Sequence, residues 1–320
     1  MSTSAAVHLA TQSGWYRFEP RGQGWEPVER ALTYWNMTCL AVDPVDPRHV
    51  YLGTEHSGIF ESRDGGATWR RPDPNVPRLS TFAMLALPGQ VLVGTVPAEL
   101  YARDDAGWHE REEVRRGVGG AVFPPSPELG SRTRYLAVDP KVPSRLYAAI
   151  EVGGLLISDD GGLTWRAADD SLGDPDVHQI LACTHDPELL VAACGESIYR
   201  SEDRGATWQD VTPPGGRTYG MAAAEDGEGV VYVGLARGRP NTWLGPERAD
   251  GAIVRSARGG SGWETVVEGL RGGVMDLCAA PDGRGVLAAT SEGDLLAVDD
   301  AGCRTLASGL PCITGLALGA

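Results

Sequence analysis

Residues 157–166 read ISDDGGLTWR, and two other stretches nearly copy it: ESRDGGATWR at 61–70 and RSEDRGATWQ at 200–209. Written as Ser-x-Asp-x-Gly-x-Thr-Trp, the pattern joins a hydroxyl, a carboxylate, a turn glycine and a large aromatic. Aligned on its last residue, it recurs in weaker form. FEPRGQGW ends at Trp25, RSARGGSGW at Trp263 and the one-residue-shorter ARDDAGW at Trp108, while AVDDAGC puts Cys303 in the aromatic place. With Trp69, Trp165 and Trp208, seven copies emerge, spaced 44, 39, 57, 43, 55 and 40 residues apart.

Each strong copy follows the same train of short apolar runs. LAVDP (40–44), HVYLGT (49–54) and GIFES (58–62) precede the first, and YLAVDP (135–140), RLYAAI (145–150) and GLLIS (154–158) precede another. Short β-rich runs with Gly, Pro and Asp turns at regular intervals predict a repetitive all-β fold. Four strands per unit of roughly 40–45 residues is the repeat of a propeller blade. CITGLALGA (312–320) has the look of an innermost strand with no blade after it, and VHLATQSGWYRF (7–18) with the Trp25 box supplies outer strands lacking an inner one. The expected fold is therefore all-β: one seven-bladed β-propeller of four-stranded blades over 1–320, its ring closed by pairing of the N- and C-terminal strands, which leaves no open edge.

The Ser-x-Asp-x-Gly-x-Thr-Trp copies, preceded by GTEHSGIF and IEVGGLLI, resemble the Asp-box (BNR) repeats of the sialidase-like, xyloglucanase-like and photosystem-assembly-factor-like propellers. The resemblance covers essentially the whole chain and is specific for fold. For function it is broad, because such propellers include hydrolases, lyase-like folds, assembly factors and sorting receptors. An assembly factor of the photosystem kind would want a targeting or lipid signal, which the chain does not show.

The box itself reads as structure. Asp64, Asp160 and Asp203 can accept from the N–H groups of their own turns. Gly66, Gly162 and Gly205 supply backbone freedom, and Trp69, Trp165 and Trp208 can wedge between blades. A catalytic loop would leave one exceptional copy, whereas three strong copies are spread around the ring. The turn also falls on the face opposite the expected ligand face.

That ligand face is built from second-to-third-strand turns and interblade connections. Both long spacings arise from insertions there, at 109–131 and 236–251. Lengthened loops on a rigid scaffold are where binding tends to sit. The turns offer Glu55, His56, Glu151, Glu196 and Glu292; the strand starts offer Trp35, Arg134, His178, Arg217 and Tyr219; the second insertion adds Arg237 and Trp243. Acidic and basic groups alternating around a funnel suit a polar small molecule, a glycan or a protein partner. Glu55, Glu151, Glu292 and His178 are the candidates for acid–base work.

Composition excludes several classes. A net charge of −15, from 28 Lys+Arg against 43 Asp+Glu, repels phosphate backbones and argues against nucleic acid. No apolar run reaches the roughly 18–20 residues of a membrane helix. No signal peptide is evident, so a cytoplasmic protein is expected. The cysteines Cys39, Cys183, Cys194, Cys278, Cys303 and Cys312 show no paired or zinc spacing, and a reduced, buried state is expected. Neither a metal site nor a cofactor is expected: H-E-x-x-H, phosphate loop, dinucleotide fingerprint and G-x-S-x-G elbow are all missing. WYRFEP (15–20) is faintly similar to the sialidase Arg-Ile-Pro motif but lies on an outer strand. The main expectation is a non-catalytic binding or scaffold propeller. The alternative is a glycoside-hydrolase-like (sialidase-clan or xyloglucanase-like) or lyase-like enzyme with acidic residues in the funnel.

Overall fold

The computed structural model describes residues 6–22, 24–71, 76–111, 114, 130–243, 248–257, 259 and 262–319. Seven antiparallel sheets stand around one axis, six of four strands and one of three. In the three-stranded blade the fourth position is a single bridge between Glu61 and Arg70. Each blade starts at the axis and is built outward by hairpins, so its first strand is innermost. Those inner strands are Met37–Val42, Thr81–Leu87, Arg132–Val138, Val177–Ala182, Tyr219–Glu225, Val274–Ala279 and Ile313–Gly319. Each touches the next, and the last touches the first. The closing blade runs Ile313–Gly319, Ala6–Thr11, Gly14–Arg21, Gly24–Ala31 from the axis outward. Its register pairs Leu9 with Leu316 and Val7 with Leu318, joining the two ends of the chain antiparallel.

The core lies between blades. Trp165 packs on Leu146 and Leu156 of its own sheet and on Leu92 and Leu100 of the preceding one. Trp208 likewise joins Ile180 and Leu190 to Tyr147 and Ile157. The repeated turn delivers these tryptophans. Asp160 accepts from the Thr164 backbone N–H at 2.9 Å and the Thr164 hydroxyl at 2.6 Å, while Ser158 accepts from the Gly162 N–H at 2.9 Å. The same bonds form around Asp64 and Asp203. Hydrogen bonds from Thr68 and Thr164, side chain first and then backbone, hold Asp64 and Asp160 down to about 2. These carboxylates are saturated by their own turns and free for no chemistry. At Gly66 φ is +100°, and a Cβ there would run into the Trp15 ring of the closing blade, so only glycine fits.

One expectation about the cysteines is corrected. All six are free thiols, but Cys303 is exposed and Cys278 and Cys312 are half-buried. Cys303 stands on the outermost strand Gly302–Ala307, where Cys303, Arg304 and Thr305 in succession meet solvent. Among the described residues no helix is long and apolar enough to cross a membrane.

Candidate functional site

Because strands one and three of a blade run parallel, the Ser-Asp-Gly-Thr-Trp turns sit on one face of the ring. The inner-strand starts and second-to-third-strand turns sit on the other. On that second face opens a funnel of about 600 Å³. Its wall carries Asn36, Glu55, Arg132, Arg134, Glu151 and Asp176, with Tyr219 and the rim residue Arg239 beside them.

Glu151 is the hub. Arg132 grips it with two hydrogen bonds, Nε to Oε2 at 2.6 Å and Nη2 to Oε1, and Arg134 Nε stands 3.6 Å from Oε2. The pairing is fixed by register, since Arg132 lies opposite Glu151 on adjacent strands. Burial opposes ionisation of Glu151, but the Arg132 pair outweighs it and leaves the carboxyl below its ordinary value. Asp176 follows the same balance: burial raises it, and contact with His178 more than compensates, helped by Arg239 and Arg132. One donor atom each from Glu151, Asp176 and His178 lie within 4.8 Å of one another. That spacing suits metal ligands, yet a cation would have to displace Arg132 from both oxygens of Glu151.

His178 is buried beneath the wall. Its Nδ1 lies 2.6 Å from the Gly220 carbonyl and donates to it, and Nε2 lies 3.3 Å from the Tyr219 hydroxyl. Nε2 also stands 3.4 Å from Asp176 Oδ1. On the far side of the mouth Asn36 donates to Glu55 at 2.6 Å.

Of the residues read from sequence, Glu55, Arg134, Glu151 and Tyr219 line the funnel, and His178 stands behind Tyr219. Trp243 is buried and meets Tyr219 edge-on at 6.1 Å, buttressing the wall with its indole N–H on the Gly238 carbonyl. Trp35 packs edge-on against Phe60, outside the lining. Three charged candidates point elsewhere because a local partner holds them, and a fourth faces solvent. Arg217 and Arg237 pair with Asp250, Glu292 pairs with Arg248, and Glu196 is exposed on its turn. His56 is exposed at the rim, 3.8 Å from Glu55. The insertion at 236–251 brings Arg239, Pro240 and Asn241 to the mouth. Of the insertion at 109–131, residues 112–113 and 115–129 lie outside the described residues.

Sequence reading missed Arg132, Asp176, Asn36 and Arg239. Arg132 and Asp176 stand two positions before Arg134 and His178, at or just before the start of the same inner strands. That spacing was the available signal.

Deeper in the channel Asp276 accepts from the backbone N–H groups of Leu316 at 2.8 Å and Leu277 at 2.9 Å. Burial pushes its carboxyl up to about 6. A raised carboxyl favours the fold while protonated, so its contribution is complete below about pH 4 and is lost as pH rises through about 6. Asp276→Asn is therefore expected to flatten the fall of melting temperature between pH 5 and pH 7. The linkage ceiling is about 3 kcal/mol. Parallel melting curves for the two proteins would remove Asp276 as a titrating group.

No protein-family model matches the chain. It is similar to a xyloglucanase of a Paenibacillus species, 28% identical over 257 residues, covering 70% of this chain and 21% of that protein. Xyloglucanase Xgh74A of Acetivibrio thermocellus is 24% identical over 323 residues, covering 80% of this chain and 36% of the relative. An oligoxyloglucan-reducing end-specific xyloglucanase of Emericella nidulans is 26% identical over 239 residues, covering 65% of this chain and 28% of its own. The chain thus spans about a fifth to a third of the curated relatives it matches. Among solved structures, the Niastella koreensis GH74 enzyme superposes with a TM-score of 0.64 at 16% identity, over 98% of this chain and 58% of that one. YCF48 bound to D1 peptide gives 0.58 at 15% identity, over 95% and 86%. At such identities the structural likeness shows the fold alone: the chain is a β-propeller of the form these proteins share.

Proposed function

We propose that this protein is a carbohydrate-active propeller of the glycoside-hydrolase-like kind, taking a sugar chain into the funnel with Glu151 and Asp176 as its carboxylate pair. The observation that carries the reading is their approach within 4.8 Å, beside Arg132 and Tyr219 in a 600 Å³ cavity. That is close to the about 5–5.5 Å separation of retaining glycosidases, and it arises within one propeller. Glu151, kept ionised by Arg132, suits the group that faces a cationic anomeric carbon. Tyr219, backed by His178, is the hydroxyl placed to exchange a proton with a bound sugar. Similarity to xyloglucanases supports a glycan over other polar ligands. The saturated Ser-Asp-Thr turns support counting the chain among Asp-box propellers.

A binding propeller without turnover is the second reading, and one observation favours it. Both carboxyls are held below their ordinary values, so neither keeps a proton for a leaving group at neutral pH. Titration and turnover assays on a panel of oligosaccharides that includes xyloglucan fragments separate the two. Under the first reading at least one sugar is cleaved, and Asp176→Asn lowers turnover by about 10²–10⁴-fold. Binding without cleavage establishes the second. A panel that neither binds nor is cleaved defeats the carbohydrate reading.

A further inference from the structure

Every blade carries a β-bulge at the same place, one or two residues into its inner strand. The pairing skips Thr38, Phe82, Arg134 and His178 in four blades. It skips Met221, Met275 and Thr314 in the other three. A bulge re-aims the side chain it frees, and all seven freed residues meet around the axis where the funnel narrows to a space of about 50 Å³. They form its floor.

What that floor offers a ligand is unequal around the ring. The Thr38 hydroxyl donates to the Thr81 carbonyl, and that of Thr314 lies 2.8 Å from the Met37 carbonyl, so both are spent as donors on neighbouring blades. His178 has both nitrogens engaged, by Gly220 and Tyr219. Phe82, Met221 and Met275 are apolar. Arg134 alone remains, its guanidinium making no hydrogen bond among the described residues and one ion-pair contact at 3.6 Å with a carboxylate that Arg132 already neutralises. Asp276 lines the same space, but its carboxylate accepts from the Leu316 and Leu277 backbone N–H groups, so Arg134 keeps donors to spare, and a guanidinium so placed is costly unless a ligand supplies the anion.

We propose that this bulge floor is an anion-reading subsite, a largely apolar seat in which the Arg134 guanidinium reads the charge, which takes the carboxylate of an acidic sugar of the uronic-acid class. The choice of a sugar acid rests on the carbohydrate reading of the same funnel; the ring geometry does not. Phe82 and the two methionines exclude water around the Arg134 pair, which strengthens it relative to a solvent-exposed one. They also leave a neutral, hydrated substituent without partners there.

The chain has five methionines, so ¹³C-methyl methionine NMR reads the floor through Met221 and Met275. Glucuronate, its neutral methyl ester and glucose are titrated against the wild type and Arg134→Gln. The expected result is saturable movement of both methyl signals with glucuronate, at an affinity at least tenfold above glucose and the ester. Arg134→Gln should erase that advantage, and Arg134→Lys should keep part of it. Equal affinities of the three ligands in the wild type would overturn the proposal whether or not the variant folds, as would an advantage surviving in Arg134→Gln. The outcomes separate from those of the broader reading. Neutral xyloglucan fragments binding with no gain from a carboxylate sink the floor alone. Glucuronate discrimination without cleavage of any glycan leaves the floor standing and removes catalysis.

Discussion

Glu61→Ala is expected to destabilise the fold by about 3–5 kcal/mol, the cost of stripping one partner from a buried ion cluster. Glu61 is 1% exposed, with His49 Nε2 at 2.9 Å, Arg63 Nε at 2.5 Å, Arg103 Nη1 at 3.1 Å and Arg70 at 3.7 Å. Arg103 belongs to the next blade, so the carboxylate ties two blades together where Trp208's neighbour Ile157, at the matching position of another blade, makes only apolar contact. Removing it takes away the carboxylate on which three arginines, Arg63, Arg70 and Arg103, converge. Burial opposes ionisation of Glu61, and the bonds from Arg63 and Arg103 overcome it, so its carboxyl lies below the ordinary value. A depressed carboxyl contributes stability above its unfolded value of about 4.3, and loses it as pH falls through the folded one. The gap between wild type and variant should therefore narrow in acid. Urea unfolding at pH 7 and pH 4 measures both effects; a difference within 0.5 kcal/mol at pH 7, about that of an ordinary surface change, would contradict them.

Glu151→Gln is expected to lower turnover of a cleaved glycan by about 10³-fold, about 4 kcal/mol of barrier. The amide keeps the shape and one acceptor for Arg132, but it removes the negative charge that would face the anomeric carbon. Sugar binding should change only a few-fold, so the loss falls on kcat and not on KM. Because Arg132 holds Glu151 below its usual range, the acid limb of the wild-type rate profile should extend below about pH 4.3. A variant with wild-type kcat would take Glu151 out of the chemistry.

The architecture was legible because its information is repeated. Trp69, Trp165 and Trp208 mark equivalent turns, and the unmatched inner strand in CITGLALGA could pair only with the unmatched outer strands at the other end. The site was half legible, since position in the repeat predicts which face a residue occupies but not what holds it. Glu151 and Glu292 fall on equivalent turns, yet Arg248 draws Glu292 away while Arg132 keeps Glu151 in the wall. Trp35 and Trp243 have the size of ligand contacts, and the ring uses them as packing. The floor was hidden by the bulges. Phe82, Met221 and Met275 read as core in an alternating strand, and only the skipped pairing turns them to the axis.

The most direct test of the whole account is a crystal structure of the protein soaked with a sugar that it binds or cleaves. The account predicts sugar density inside the funnel, with hydroxyls in hydrogen-bond range of Glu151, Asp176 and Tyr219. Density confined to the Ser-Asp-Gly-Thr-Trp face or to the outer strands, with the funnel holding only water, would contradict it.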